Sequence, residues 1–198
     1  IGIIAVVAIG ILVAVNANGT NDLQTGVGGG PQDNQMTQTN PTPQPNTTDN
    51  DTTLRERGNL HRLFQEHAVA ASMHLQRLYD GEETTDTAQR LSRNGQQIVQ
   101  TIAQVTNSPD ASSQLLPMWQ AHITEYEAYT MGLKDNDTAG MQQARDNLEM
   151  HAEEFGPIMN SLVPSLSANR ATQLMNEHVD LTLSIIDAHA EENTTEKL

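Results

Sequence analysis

From Leu54 to Glu192 apolar residues recur every three or four positions, which is the period of an amphipathic helix. Five such stripes can be followed. The first, about 55–79, carries Leu60, Phe64, Ala71, Leu75 and Leu78 and ends at Asp80-Gly81. The second, about 86–106, carries Leu91, Ile98, Ile102 and Val105, and Asn107-Ser108-Pro109 stops it. The third, about 111–133, uses Leu115, Trp119, Tyr126, Tyr129 and Leu133. The fourth, about 138–162, uses Met141, Ala144, Leu148, Phe155, Ile158 and Leu162, with a kink expected at Gly156-Pro157. The fifth, about 168–191, uses Ala171, Met175, Thr182 and Ile185. No strand-like alternation interrupts them. Short links between helices of similar length make neighbours antiparallel. The expected fold is all-α, an up-and-down antiparallel bundle of four to five helices spanning 54–192, with a short tail at 193–198.

Upstream the pattern changes twice. Ile1 to Val15 is an uncharged run of Ile, Val, Leu, Ala and Gly, and Val15-Asn16-Ala17 resembles the small-x-small cleavage site of a secretory signal. The run is shorter than the roughly 20 residues a spanning helix needs. The chain opens on Ile rather than Met, so the run is expected to begin further upstream. Residues 1–17 are therefore read as a signal peptide or as a membrane anchor, and the membrane is a partner only if the segment is uncleaved. Either fate places the protein outside the cytoplasm, in a periplasm, at a cell surface or secreted. Residues 18–53 are rich in Asn, Gln, Thr, Pro and Gly with scarcely an apolar side chain. Such a stretch cannot offset its ordering entropy by burial and is expected to be a disordered linker. Asn-x-Ser/Thr triplets begin at Asn18, Asn46, Asn50, Asn136 and Asn193, all outside the five stripes as read, which fits glycosylation of an exposed chain.

Composition narrows the chemistry. Asp and Glu outnumber Lys and Arg by 25 to 10, a formal charge of -15, which repels phosphate backbones and excludes nucleic acid as a partner. There is no cysteine, so disulfides, thiolate catalysis and thiolate metal sites are absent. Any metal must be held by His, Asp, Glu or Met.

Four of the seven histidines fall on the inward stripes near the middle of their helices. They are His67, seven residues after Leu60; His122, between Trp119 and Tyr126; His151, between Leu148 and Phe155; and His178, between Met175 and Thr182. Midpoints of packed helices share one level, so these four should converge, with Asn94 of the second helix completing the layer. A buried polar group without a hydrogen bond costs about 1–3 kcal/mol. Four such imidazoles could consume most of the roughly 5–15 kcal/mol by which a domain is stable. Something must satisfy them: a transition-metal ion, a network of hydrogen bonds and water, or a bis-His haem, for which the stripes lack the small residues that would make room. Ligand softness admits copper, zinc, nickel or iron, with copper(II) favoured by affinity order. Glu66 and Glu177 directly precede His67 and His178, while Glu125 and Glu154 stand three residues after His122 and His151. With Asn94 they are the candidate outer partners of the site. The order His-x-x-Glu is the reverse of the Glu-x-x-His of diiron bundles. His61 lies off its stripe, and His74 and His189 lie toward one end of the bundle, where they suit either a way in or a solvated end.

The motifs Glu66-His67, Arg93-Asn94 with Ile98, His122-Ile123, and Glu177-His178 with Leu181-Thr182 resemble a family of small bacterial helical-bundle proteins. That family carries EHV, RNQxDI, HI and HLxLT segments in this order. Ala70-Ala71-Ser72 stands where the family has Trp-Thr-Arg, and His151 where it has Asn. The resemblance implies a helical bundle with a polar layer of three histidines and supplies no reaction.

The expected function is metal binding, storage or sensing through His67, His122, His151 and His178. The alternative is a surface interaction or structural module, for instance a self-associating filament or lattice subunit, whose histidine layer is a hydrogen-bond network. Catalysis would need an open coordination position and a placed acid or base, for which only the four glutamates are at hand.

Overall fold

The computed structural model describes residues 47–195, all of which belong to five helices and their links. They are α1 (Thr47–Asp80), α2 (Thr85–Val105), α3 (Ala111–Asp135), α4 (Thr138–Leu162) and α5 (Ala168–Thr195). The links run 81–84, 106–110, 136–137 and 163–167. Each reverses the chain, so α1, α3 and α5 run one way and α2 and α4 the other. The described part is the expected up-and-down helical bundle. The apolar segment and most of the proposed linker, with Asn18 and Asn46, lie outside the described residues. Among the described residues no helix is long and apolar enough to cross a membrane.

The turns follow from local chemistry. Gly81 takes φ 77° and Asn136 φ 59°, left-handed conformations that Gly and Asn tolerate. At Asn136 the backbone N–H bonds back toward the Leu133 carbonyl. The Asp137 carboxylate then accepts the Gly140 N–H at 3.0 Å, capping α4. Helix α4 runs unbroken through Gly156-Pro157. A Cβ on Gly156 would stand 2.7 Å from the Ala168 carbonyl oxygen, so this glycine lets the start of α5 close onto α4.

Two boundaries differ from expectation. Helix α1 starts at Thr47, inside the segment read as linker. Asn50 therefore belongs to α1. Asn193 belongs to α5, where its amide donates to Asp80 at 2.9 Å. Of the described triplets only Asn136 sits in a link as the pattern required.

The core is cut in two. One apolar cluster gathers Leu60, Leu63, Phe64, Ile98, Ile102, Leu115, Phe155, Met159 and Leu174. The other gathers Leu75, Tyr126, Tyr129, Leu148, Val179, Leu183 and Ile186. On α3, α4 and α5 one histidine lies between the two sets, His122, His151 and His178, and on α1 two do, His67 and His74, while α2 contributes to the first set alone and carries the buried Asn94. The first and last helices touch only sparsely, while consecutive helices pack closely. The gap between α1 and α5 is a groove of about 370 Å³.

Candidate functional site

The polar layer is held from three sides. His67 on α1, His122 on α3 and His178 on α5 are all buried. Their rings form a row, with centroids 6.2 Å apart for His67 and His122 and 6.4 Å for His122 and His178. All three line the floor of the groove between α1 and α5. Trp119 packs edge-on against His67 at 4.8 Å and His122 at 5.2 Å. Tyr126 does the same for His122 at 5.7 Å and His178 at 6.1 Å. These two aromatic side chains wall the row from behind. Trp119 can reach this position because residue 95 is Gly: a Cβ there would meet the indole Nε1 at 2.4 Å.

Asn94 decides which nitrogen of His67 carries the proton. Its amide donates to the Leu63 carbonyl at 2.9 Å, so its oxygen is turned to His67 Nδ1 at 3.0 Å. That oxygen accepts, so Nδ1 holds the hydrogen and Nε2 keeps its lone pair. His178 Nδ1 and Trp119 Nε1 are buried without a hydrogen-bond partner, and the buried Tyr126 hydroxyl has Thr182 beside it without a hydrogen bond of normal geometry. Burial drives His67 down to about 3, helped by the nearby His178 and opposed by the Asn94 bond. Burial lowers His178 to about 4. His122 is pushed well below the ordinary value by burial and then by its histidine neighbours, while the Met118 carbonyl works the other way. The three rings are therefore neutral at physiological pH, the form in which imidazole coordinates metal.

His151 stands apart from this row. It shares with His122 and Trp119 a small separate cavity of about 20 Å³ on the α4 side. Its Nδ1 lies 3.7 Å from Glu154, beyond hydrogen-bond reach. The other proposed outer partners turn elsewhere. Glu66 pairs with Arg62 in solvent, Glu177 faces Arg170 at 3.6 Å, and Glu125 accepts from Asn147 at 3.0 Å. Of the five, Asn94 alone bonds a histidine of the row. Among the described residues no three His, Asp or Glu side chains stand ready to hold an ion.

Outside the row, His74 is buried with both nitrogens engaged. Nδ1 meets Thr87 Oγ1 at 2.9 Å and Nε2 meets Glu127 at 2.7 Å. His189 bonds both Asp80 oxygens at 3.1 Å and ties the end of α5 to that of α1.

Sequence reasoning missed the groove and the buried Tyr126 hydroxyl. A signal existed: Val69 and Met73 are a second apolar pair on α1, off its core stripe and exposed, beside the small Ala68, Ala71 and Ser72. Comparison with known proteins finds no matching family model, no matching curated protein and no matching solved structure.

Proposed function

We propose that the bundle binds a transition-metal ion through His67, His122 and His178, acting outside the cytoplasm in metal binding, storage or sensing. The observation that carries this reading is a row of three buried neutral imidazoles in which His178 Nδ1 has no protein partner and His67 presents an unprotonated Nε2. With metal–nitrogen bonds of about 2.0–2.1 Å, two ring centroids on one tetrahedral ion lie about 5 Å apart. The observed 6.2 and 6.4 Å require these two pairs to close by about an ångström, and His67 and His178, at the two ends of the row, to approach each other as well. Three protein nitrogens would leave the fourth position facing the groove, as in open zinc or copper sites. Asn94 orients His67 as an outer partner does. His151 contributes at most from behind, across the small cavity.

The second reading makes the layer a structural network that fixes helix register, and the ring spacing and the Asn94 bond favour it. Elemental analysis of the purified chain, with melting curves before and after chelation, separates the two. Near-stoichiometric copper, zinc or iron and a melt lowered by chelator support the metal. A metal-free chain whose melt is unmoved by added copper(II), zinc(II) or iron(II) overturns it.

A further inference from the structure

The groove between α1 and α5 has a chemistry unlike the rest of the molecule. The chain carries 25 acidic and 10 basic residues, yet the groove is lined by no Asp, Glu, Lys or Arg. Its walls are aliphatic and aromatic, with Phe64, Met73, Leu91, Ile123, Ile185 and Ile186 among them. On α1 it extends from His61 to Gln76, about 22 Å at the rise of an α-helix. Its volume of about 370 Å³ lies in the range of small-molecule pockets, roughly 300–1,000 Å³. Polar side chains also line it, Gln65, Ser72, Gln76 and Thr182 among them, but the buried polar atoms are on the floor, where His178 Nδ1 lacks a partner, the Tyr126 hydroxyl has only Thr182 beside it and His67 offers a lone pair.

We infer that this groove binds an elongated, uncharged, apolar small molecule whose single polar end, a hydroxyl or a group of like hydrogen bonding, reaches the floor at Tyr126, His67 and His178. A hydroxyl oxygen accepts from the Tyr126 hydroxyl, and its hydrogen goes to the His67 Nε2 lone pair. The apolar tail lies along Ala68, Ala71 and Ser72 toward the open end. An anion is disfavoured because no cationic side chain lines the groove and the protein as a whole is strongly negative. The inference goes beyond the metal reading and does not need it. With an ion on the three histidines, the same oxygen would face the open coordination position.

The test uses 1-decanol as probe and the emission of Trp119, the only tryptophan, as readout, on the full chain with and without chelator. Decanol is expected to shift that emission saturably in the chelated protein, and decanoate to bind at least tenfold more weakly. Tyr126→Phe should weaken decanol about two- to tenfold, the loss of one hydrogen bond. Ala71→Phe, which fills the groove from its exposed side, should abolish binding while helix content by circular dichroism is kept. Met131→Phe, on an exposed face of α3 outside the groove, should leave it unchanged. Failure of decanol to saturate in the folded chain, equal binding of decanoate, or binding undiminished by Ala71→Phe would each overturn the inference. So would a dimer dispersed by Val69→Glu, which would assign the groove to a second copy. If the chain holds no metal but binds decanol, the metal reading fails and this one stands.

Discussion

Asn94 has two hydrogen-bonding ends and spends both inside the bundle, one on the Leu63 carbonyl and one on His67. Asn94→Leu keeps the volume and removes both. It should cost about 1–3 kcal/mol in urea unfolding, because His67 Nδ1–H is left buried without an acceptor. In calorimetric titration with copper(II) or zinc(II) it should also weaken binding about 10- to 100-fold, the usual loss when an outer partner is removed. An undiminished affinity would mean that the tautomer of His67 does not matter to the ion. His74 makes a useful contrast, since both of its nitrogens already have partners. Thr87 donates its own hydroxyl to the Thr84 carbonyl at 2.9 Å, so it accepts from His74. Thr87→Val should therefore destabilise the fold by about 1–3 kcal/mol and leave metal affinity untouched. The sequence made the histidine row legible, because an imidazole in place of Leu on an inward stripe is conspicuous. It misassigned the outer partners for a geometric reason. A residue next to a histidine on a helix is turned about 100° away from it, which sends Glu66 and Glu177 into solvent, and a glutamate three residues on is long enough to choose another partner.

Two glycines set how closely the helices approach. A methyl group on Gly95 would collide with the Trp119 ring at 2.4 Å from Nε1, and one on Gly156 would stand 2.1 Å from Thr172 Oγ1 and 2.7 Å from a backbone oxygen. Alanine is the better helix former by about 1 kcal/mol, so propensity alone favours both substitutions. Overpacking of about 1–3 kcal/mol opposes it. Gly156→Ala should be the more harmful, since backbone cannot swing aside, and equal or raised urea midpoints would contradict the close crossing. Gly95→Ala should in addition displace Trp119 and change its emission. The five helices themselves were legible from apolar spacing and stop signals to within a few residues, apart from the start of α1. That start lies in a stretch with no apolar stripe to reveal it. The α1–α5 groove was hidden for a related reason. Periodicity tells which face of a helix is buried, and says nothing about two faces that meet only loosely.

For the whole molecule, the lowered histidines make stability depend on pH in a defined direction. Each has a folded-state value below its unfolded one, so the unfolded chain takes up the proton first as pH falls. Stability is fully present above about 6.5 and is lost as pH falls from there toward the folded values near 4 and 3. At pH 5 the loss is on the order of 2 kcal/mol per histidine. Protonation of the carboxylates relieves the repulsion of a chain at -15 and acts the opposite way. The comparison that isolates the histidines is therefore urea unfolding of the native chain and of His178→Gln at pH 7.5 and pH 5. The variant should lose less on acidification, and an identical loss would remove His178 from the account. The divided core carries one more consequence. Two short stacks of apolar side chains share the backbones of α1, α3, α4 and α5, and the level between them is held by imidazole and aromatic rings whose polar atoms are partly unpaired. Such a level is a seam, and amide exchange should run fastest, apart from the frayed ends, around His67, His122 and His178. A ligand that satisfies the row would act as a rivet through it, joining two half-stable stacks into one cooperative body.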